Sequence, residues 1–450
     1  MSHTSTERGY RQGIAIALIS LLVVCAGLFA LAATQGPKLS SVQLDVDRPA
    51  GQQVRLVLNQ PVAAITASQI TVTPAAPFTV DTTGNVVAIV FSSPLDYSTD
   101  YEVAITGVRS AARDIESSFE TSFSTANTTV YYLDRSGDTD RILASGITPA
   151  QPTVVYEAPM ITEFAVVGRV LAVVTRDADR IDSLSLVQIG TTDVETVAMP
   201  DDGWITDVRS SDSAQTLGFV FTSVGDSDYS RTLFTIDLTA SRELRPTLDL
   251  RGEPLHVLDW QFRPATESMV VLDSSDALAL IDPAEPGSLL PLGDYLTLSH
   301  LSEDGSTATV SDQLGFSTLT IDDLAAERIT PALVDGAEPY LGEAQVLSTG
   351  ILEHVYSYHA DENRFDSYLV LQDGTDRKVL FGKKGGTASV MRFTVSPNEQ
   401  YVAIEVDPGS AGGTDDGYVG SNRPTDVTTY IVEIATGSTV ASFNGFDLSW

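Results

Sequence analysis

The feature that most constrains this chain is a repeat of short alternating strands in residues 128–450, with a period of about 46 residues. Repeats begin with an apolar strand, and we place the starts at Ile161, Ile205, Leu255, Tyr295, Ala344, Val390 and Phe446. A second shared element is an alternating strand that ends in a carboxylate before a turn, as in Leu233–Asp237 and Thr429–Glu433. The pattern predicts a four-stranded sheet per repeat, and such sheets arranged radially form a β-propeller.

The two ends of the repeat region predict how the ring closes. Residues 129–158 supply about three strands with no first strand before them, whereas 445–450 supply one lone strand. Together the two fragments complete one blade, so we expect seven blades in residues 128–450, closed by the C-terminal strand.

The turns between first and second strands carry a resemblance. Ser396–Ile404 (SPNEQYVAI) and Ser302–Ala308 (SEDGSTA) resemble the S-P-D-G turn of TolB-like and WD-type propellers, and Ser211–Leu217 is a weaker copy. The resemblance implies a rigid face that binds proteins or envelope polymers. Propellers of this kind also include hydrolases and lyases.

Residues 34–127 show period-two alternation that marks half-buried strands, for example Val54-Leu56-Leu58. Short strands at this spacing suggest a β-sandwich. The stretches at 54–62 (VRLVLNQPV), 94–101 (PLDYSTDY) and 119–125 (FETSFST) resemble the bacterial Ig-like domains of surface-layer and cell-envelope proteins. That resemblance implies a spacer or adhesion unit.

The run from Ile14 to Ala33 has 20 residues without a charge. At about 1.5 Å per residue it would cover the hydrocarbon core, and Arg8 and Arg11 before it favour a cytoplasmic N-terminus. We expect a cytoplasmic tail at 1–13, a transmembrane signal anchor at 14–33, and the bulk of the chain outside the cell membrane. The alternative is a cleaved signal peptide, since Ala30-Leu31-Ala32 fits a cleavage pattern.

Charge narrows the possible partners. The chain has 26 basic and 60 acidic residues, net −34, and residues 128–450 alone carry net −31. Such an excess repels nucleic acid and would attract cations or basic protein surfaces. We therefore expect no nucleic-acid partner, and the predicted partners are the membrane and an envelope protein or polymer. The single cysteine, Cys25, excludes an intramolecular disulfide.

The sequence contains no catalytic motif: it has no G-x-S-x-G elbow, no H-E-x-x-H and no phosphate-binding loop. His354 and His359 lie on opposite faces of any common strand, and neither the Asp177, Asp179, Asp182 group nor the Asp226, Asp228 pair has the full spacing of a calcium loop. No cofactor is predicted, and calcium is kept open. Asp207, Asp259 and Asp447 are candidates to face the channel of the ring, although alternation does not decide it.

The long insertion 408–424 (PGSAGGTDDGYVGSNRP) supplies the candidate binding residues. Long loops often carry function. Asp415 and Asp416 could take a cation, and Tyr418 and Arg423 could contact a partner.

The sequence thus predicts an all-β chain, an Ig-like β-sandwich plus a seven-bladed β-propeller, preceded by one transmembrane helix. The predicted function is a non-catalytic cell-envelope binding or scaffold protein of bacterial type. The alternative is a hydrolase or lyase that acts on an envelope glycan or peptide through scattered carboxylates.

Overall fold

The computed structural model describes residues 36–46, 51–147, 151–225, 229–239, 242–264, 266–283, 288–409, 415–418 and 423–450. The chain divides into two compact units that meet between Ala126 and Asn127.

The first unit is a β-sandwich of two antiparallel sheets. Its strands are β1 (Leu39–Asp45), β2 (Gln53–Leu58), β3 (Ile70–Thr73), β4 (Phe78–Thr83), β5 (Val86–Phe91), β6 (Asp100–Arg109) and β7 (Glu116–Ser124). One sheet has the order β1-β2-β5-β4 and the other β3-β6-β7. Alternation sends one face of each sheet into a shared core, where Leu56, Ile89 and Ile105 are fully buried. Each such side chain contributes about 1.5–3 kcal/mol by burial.

The second unit consists of seven four-stranded antiparallel sheets, which we call blades 1 to 7. Blade 1 has β8 (Thr129–Asp134), β9 (Asp140–Gly146), β10 (Thr153–Ala158) and the last strand of the chain, β35 (Phe446–Ser449). Blade 2 has β11 (Ile161–Val167), β12 (Val170–Arg176), β13 (Asp182–Gln188) and β14 (Val194–Thr196). Blade 3 has β15 (Gly203–Ser211), β16 (Thr216–Ser223), β17 (Thr232–Asp237) and β18 (Leu244–Pro246). Blade 4 has β19 (Val257–Phe262), β20 (Met269–Asp273), β21 (Ala277–Ile281) and β22 (Leu289–Asp294). Blade 5 has β23 (Thr297–Leu301), β24 (Thr307–Asp312), β25 (Gly315–Thr320) and β26 (Ala326–Arg328). Blade 6 has β27 (Glu338–Leu347), β28 (Gly350–His359), β29 (Arg364–Asp373) and β30 (Asp376–Phe381). Blade 7 has β31 (Ser389–Val395), β32 (Tyr401–Asp407), β33 (Thr428–Glu433) and β34 (Ser438–Asn444).

The blades follow one another in a closed ring. First strands of successive blades contact each other from β11 to β27, β29 contacts β31, and β35 contacts both β11 and blade 7. In blade 1 the order is β10-β9-β8-β35, with Phe446 opposite Leu133 and Ser449 opposite Tyr131. A strand from the end of the unit therefore completes the sheet that its beginning starts, which is the arrangement of a β-propeller.

Each blade is a meander, so its connections fall into two sets. The connections from second to third strand, and from fourth strand to the next blade, lie where the first strands begin; we call this end the loop face. Here Asp140 Oδ2 accepts a hydrogen bond from Ile161 N at 2.6 Å, and Asp182 Oδ2 accepts one from Ile205 N at 2.9 Å. These bonds join the third strands of blades 1 and 2 to the first strands of blades 2 and 3.

The opposite end, which we call the turn face, carries the connections from first to second and from third to fourth strand. Neighbouring turns bond there as well. The amide of Gly168 donates to Asp212 Oδ1 at 2.8 Å, and Arg263 Nε donates to the carbonyl oxygen of Gly305 at 2.6 Å. Hydrogen bonds therefore join neighbouring blades at both ends of the ring.

The all-β class is as predicted, but the prediction of a transmembrane helix has to be corrected. The predicted helix at 14–33 and its tail at 1–13 lie outside the described residues, and within the described ranges no helix is long and apolar enough to cross a membrane. The helical element found there is the three-residue 3-10 turn Ala67–Gln69, whereas a crossing takes about 20 residues. The transmembrane part of the fold class and the single-pass membrane localisation are therefore not supported.

Candidate functional site

A β-bulge interrupts the first strand of every blade near its loop-face end. In each case one extra residue stands on the first strand where its partner strand continues its regular ladder. Bulges re-aim side chains and are common beside functional sites. At the bulge or directly after it, each blade carries an ionisable residue, in ring order Glu163, Asp207, Asp259, His300, Glu343, Arg392 and Asp447.

These seven residues and their neighbours form a ring of polar contacts from blade to blade. Arg209 Nη2 lies 2.9 Å from Asp259 Oδ1, and Arg392 Nη1 donates to Asp447 Oδ1 at 3.2 Å. His300 Nε2 lies 3.5 Å from Glu343 Oε2. Five of the seven residues are acids and one is an arginine, and the neighbouring Arg209, Arg231 and Arg423 also pair with aspartates of the ring, so the chain itself compensates part of the acidic charge. Its groups face solvent in part, and the Arg392 side chain is 50% exposed.

Two glutamates, the buried Glu405 and the partly exposed Glu163, support the ring by capping bulges. The carboxylate of Glu163 accepts hydrogen bonds from the amides of Asp207 and Val208, at 3.1 and 2.8 Å. Glu405 Oε1 accepts one from the amide of Asp447 at 2.6 Å. Asp207 and Asp447 have φ of 54° and 53°, a left-handed conformation that aspartate tolerates better than most residues. The caps therefore fix the two bulges whose backbone is least regular.

Burial sets the protonation of these glutamates. Loss of solvent is the main cause that raises the pKa of Glu163 to about 7, and the charge of Asp207 adds to it. Burial and then the charge of Asp447 raise the pKa of Glu405. Both carboxyls titrate nearer to neutral pH than an ordinary glutamate, but both are committed to backbone amides.

The predicted binding residues of the insertion lie at the loop face, and three of them contact other parts of the propeller. Arg135 Nη1 donates to Asp416 Oδ2 at 2.8 Å, with both side chains nearly buried. Tyr418 donates its hydroxyl hydrogen to Asp140 Oδ2 at 2.6 Å, and the Arg135 guanidinium stacks 3.8 Å from the Tyr418 ring centre.

Arg423 and Asp415 complete the set. Arg423 Nη2 donates to Asp447 Oδ1 at 3.1 Å, which joins the insertion to the charged ring. Asp415 is exposed, and its Oδ1 accepts a hydrogen bond from the Gly417 amide at 2.7 Å. The structure thus brings Asp416, Tyr418 and Arg423 onto blade 1, while their role in binding a partner stays a prediction.

The other residues singled out in the sequence are separate from one another. His354 bonds to Ser367 Oγ at 3.0 Å, and burial lowers its pKa, whereas His359 Nε2 lies 3.0 Å from Asp366 Oδ2. Asp182 pairs with Arg176 at 2.7 Å. Asp226 and Asp228 lie outside the described residues. Within the described ranges no group of three or more histidine, cysteine, aspartate or glutamate side chains could hold a metal ion.

The feature that sequence reasoning missed is the distribution of exposed apolar side chains. Fifteen large apolar residues of the described propeller are exposed, and nine of them lie at the loop face: Trp204, Val224, Leu250, Leu258, Leu296, Leu314, Leu333, Tyr340 and Phe365. Five more lie on outer fourth strands, and one, Leu324, lies at the turn face. Concentrations of exposed apolar side chains mark interaction sites.

The same end is acidic. Its exposed acidic residues, within the described ranges, are Asp138, Asp177, Asp179, Asp201, Asp202, Glu253, Asp276, Asp294, Asp335, Glu338, Asp361, Glu362 and Asp415. The exposed basic residues there, within the described ranges, are Arg180, Arg251, Lys383 and Lys384, together with Arg392 of the ring. The loop face therefore combines apolar side chains with a negative field, which favours a basic partner.

Comparisons with known proteins agree with this architecture. Residues 34–125 match the family model of the bacterial Ig-like domain. A comparison with curated protein sequences finds no match.

Among solved structures, the chain is similar to the β-propeller domain of the Trilobed protease from Pyrococcus furiosus, with 10% identity over 78% of this chain and 97% of that one and a TM-score of 0.46. It is also similar to TolB from Acinetobacter baumannii, with 14% identity over 71% and 87% and a TM-score of 0.35. A third is the acylaminoacyl peptidase of Pyrococcus horikoshii, with 10% identity over 77% and 51% and a TM-score of 0.43. The chain carries a bacterial Ig-like domain followed by a β-propeller.

Proposed function

We propose that this protein is a non-catalytic binding protein whose propeller takes a protein partner on its loop face. The observation that carries the proposal is the unequal distribution of exposed apolar side chains between the two ends of the ring: among the residues that the structure describes, nine lie at the loop face and one at the turn face. Burial of apolar surface drives most protein association. A face that leaves such side chains in water in a monomer gains free energy when a partner covers them.

The alternative, a hydrolase that uses carboxylates of the ring, has less support. A catalytic carboxyl needs to reach substrate, and its oxygens must be available for proton transfer. Glu405 is 3% exposed and accepts the amide of Asp447, and both oxygens of Glu163 accept amides of blade 3. These two carboxyls therefore have a structural role as hydrogen-bond acceptors for the backbone of the next blade.

Photo-crosslinking in the native cell tests the proposed face. A photoreactive phenylalanine derivative replaces Leu314, which is 85% exposed at the loop face, or Leu324, which is 49% exposed at the turn face. We expect a discrete adduct from position 314 and none from position 324, because the partner covers only the first.

A second substitution on the loop face supplies the control for specificity. With the crosslinker at position 314, Leu333→Ser should reduce the yield of the adduct, whereas Val440→Ser on an outer strand should not. Equal adducts from positions 314 and 324, or no adduct from position 314, would overturn the proposal.

A further inference from the structure

The tip of blade 6 presents three aromatic side chains on one face of its sheet. Strands β27, β28 and β29 have ten residues each, more than any other described strand of the propeller. The register sets Glu338 opposite Tyr358 and Tyr358 opposite Phe365, and Tyr340 stands two residues after Glu338 on the same face. We call Tyr340, Tyr358 and Phe365 the aromatic triad.

The triad is packed but not covered. The ring centres of Tyr358 and Phe365 are 4.7 Å apart, and those of Tyr340 and Phe365 are 6.0 Å apart with a nearly perpendicular arrangement. Phe365 is 55% exposed and Tyr340 is 46% exposed. Large aromatic groups are normally buried, so exposure of adjoining rings at a loop face indicates a surface that is covered by something else.

Carboxylates surround the triad. Glu338 is exposed beside Tyr340, whose pKa is raised first by loss of solvent and then by the charge and hydrogen bond of Glu338. Asp361 and Glu362 are exposed in the loop that joins β28 to β29, where Glu362 is paired with Arg364 of the same chain. An aromatic surface with an acidic rim is complementary to a cation, which the ring faces and the carboxylates both attract.

The chain's own arginines occupy other rings of the loop face. Arg135 stacks on Tyr418 and Phe446, Arg209 on Trp260 and Arg423 on Phe446. No such cation lies over the triad among the described residues. The nearest arginine in sequence, Arg364, is directed by alternation to the opposite face of the sheet, where its Nε donates to Asp366 Oδ1 at 2.7 Å.

We propose that the aromatic triad, with Glu338, binds an arginine or lysine side chain of the partner segment that docks on the loop face. The inference rests on the proposed function and specifies its chemistry: a basic segment. The guanidinium or ammonium group would lie against the exposed rings of both Phe365 and Tyr340 and within reach of the Glu338 carboxylate.

Fluorescence anisotropy with a fluorescein-labelled arginine–glycine repeat peptide tests the inference on the full chain, at an ionic strength of about 0.15 M that screens the general acidic field. We expect the peptide to bind and a matching glutamate–glycine peptide not to bind. A double substitution, Tyr340→Ala with Phe365→Ala, should weaken binding about five- to thirtyfold, as expected for the loss of two cation–π contacts.

Three further variants separate this site from the face as a whole. Phe365→Tyr keeps a ring and should retain binding, while Glu338→Gln should weaken it. Trp204→Ala removes an exposed ring elsewhere on the loop face and should weaken peptide binding less than the double substitution does. Thermal melts would check that each variant is folded, which the exposure of these side chains favours.

The inference is overturned if the arginine peptide does not bind, if the double substitution weakens binding less than about fivefold, or if Trp204→Ala weakens it equally. If the inference fails, the proposed function still stands provided that the crosslinker at position 314 captures a partner and the crosslinker at position 324 does not. Loss of the Leu314 adduct with peptide binding intact would instead refute the proposed docking face.

Discussion

Glu405 Oε1 accepts a hydrogen bond from the amide of Asp447 at 2.6 Å, and so joins the second strand of blade 7 to the strand that closes the ring. Glu405 is almost wholly buried and Asp447 has a positive φ. The same arrangement recurs between the partly exposed Glu163 and Asp207, so a glutamate carboxylate holds the bulge at two places in the ring.

Glu405→Ala should therefore lower the free energy of unfolding by about 1–3 kcal/mol, because it leaves a buried amide without an acceptor. Glu405→Gln retains an acceptor oxygen and should cost less. Urea unfolding of both variants checks the expectation, with Glu433→Ala on the neighbouring third strand as the control. Equal effects of the alanine and glutamine variants would contradict the capping role.

Asp182 connects blades 2 and 3. Its carboxylate pairs with Arg176 through two hydrogen bonds of 2.7 and 2.9 Å and accepts the amide of Ile205. Asp182→Ala should cost about 3–5 kcal/mol, because it removes the carboxylate and two hydrogen bonds from a poorly exposed guanidinium. Asp179→Ala, in the exposed loop nearby, should stay within about 0.5 kcal/mol of the wild type. Similar unfolding midpoints for the two variants would contradict the role of Asp182 in joining blades 2 and 3.

Asp416 tests whether the insertion is part of the fold. Because the Arg135 and Asp416 side chains are both nearly buried, Asp416→Ala should destabilise the propeller by about 2–4 kcal/mol. Asp415→Ala, at an exposed position, serves as the matched control. Melts in EDTA and in millimolar calcium add a second reading: a calcium-dependent rise in Tm that only Asp416→Ala abolishes would show a ligand instead of an ion-pair partner.

The free energy of unfolding should depend on pH because Glu303 and Glu163 have raised pKa values in the folded protein. Burial, and then the charge of Glu399, raises the pKa of Glu303 to about 8, from 4.5. The folded protein keeps this proton at pH values where the unfolded chain has released it, so the stability present below about pH 4.5 is lost as pH rises through about 8. The pKa of Glu163, about 7, acts in the same direction.

We expect the free energy of unfolding to fall by about 1–3 kcal/mol between pH 5.5 and pH 8.5. Glu303→Gln, which is neutral at every pH, should reduce that fall and stabilise the protein at the higher pH. Denaturant titrations at the two pH values provide the measurement, with Glu267→Gln at the same turn face as control. A wild type whose stability rises over this interval would refute the assignment.

Gly445 tests the closure of the ring. A Cβ at this position would lie 2.5 Å from the carbonyl oxygen of Leu133, and its φ of +147° is rarely adopted by other residues. Gly445→Ala should displace β35 and cost about 2–4 kcal/mol. Gly225→Ala also has a positive φ, but open space surrounds it, so only the backbone strain remains. Thermal unfolding that does not separate the two variants would contradict the closure.

The sequence predicted the starts of first strands well where one face of the strand is buried, because apolar residues then alternate with polar ones. Strands β11 and β35 begin at Ile161 and Phe446, as expected. In blade 6 the expected start, Ala344, falls six residues after the observed one, Glu338. The physical reason is that Glu338 and Tyr340 are exposed, so the tip of β27 has no buried stripe for a hydrophobic pattern to detect.

The site was harder to predict because its geometry depends on bulges and on distant contacts. One extra residue in a strand reverses the parity of all that follow, so alternation alone could not say where Asp207, Asp259 and Asp447 point. Asp416 and Tyr418 bond to Arg135 and Asp140, which are 281 and 278 residues away in sequence. No local pattern reports such a pair.

The pairing of β35 with β8 also has a consequence for synthesis. Leu133 and Phe446 face each other although roughly 310 residues separate them, so this pairing costs much loop-closure entropy and is expected to form late in folding. While the ribosome makes the intervening blades, β8 keeps an open edge of backbone donors and acceptors. The nascent chain must therefore be protected from edge-to-edge aggregation until its last strand emerges, and a ribosome stalled before residue 446 would hold an unclosed ring.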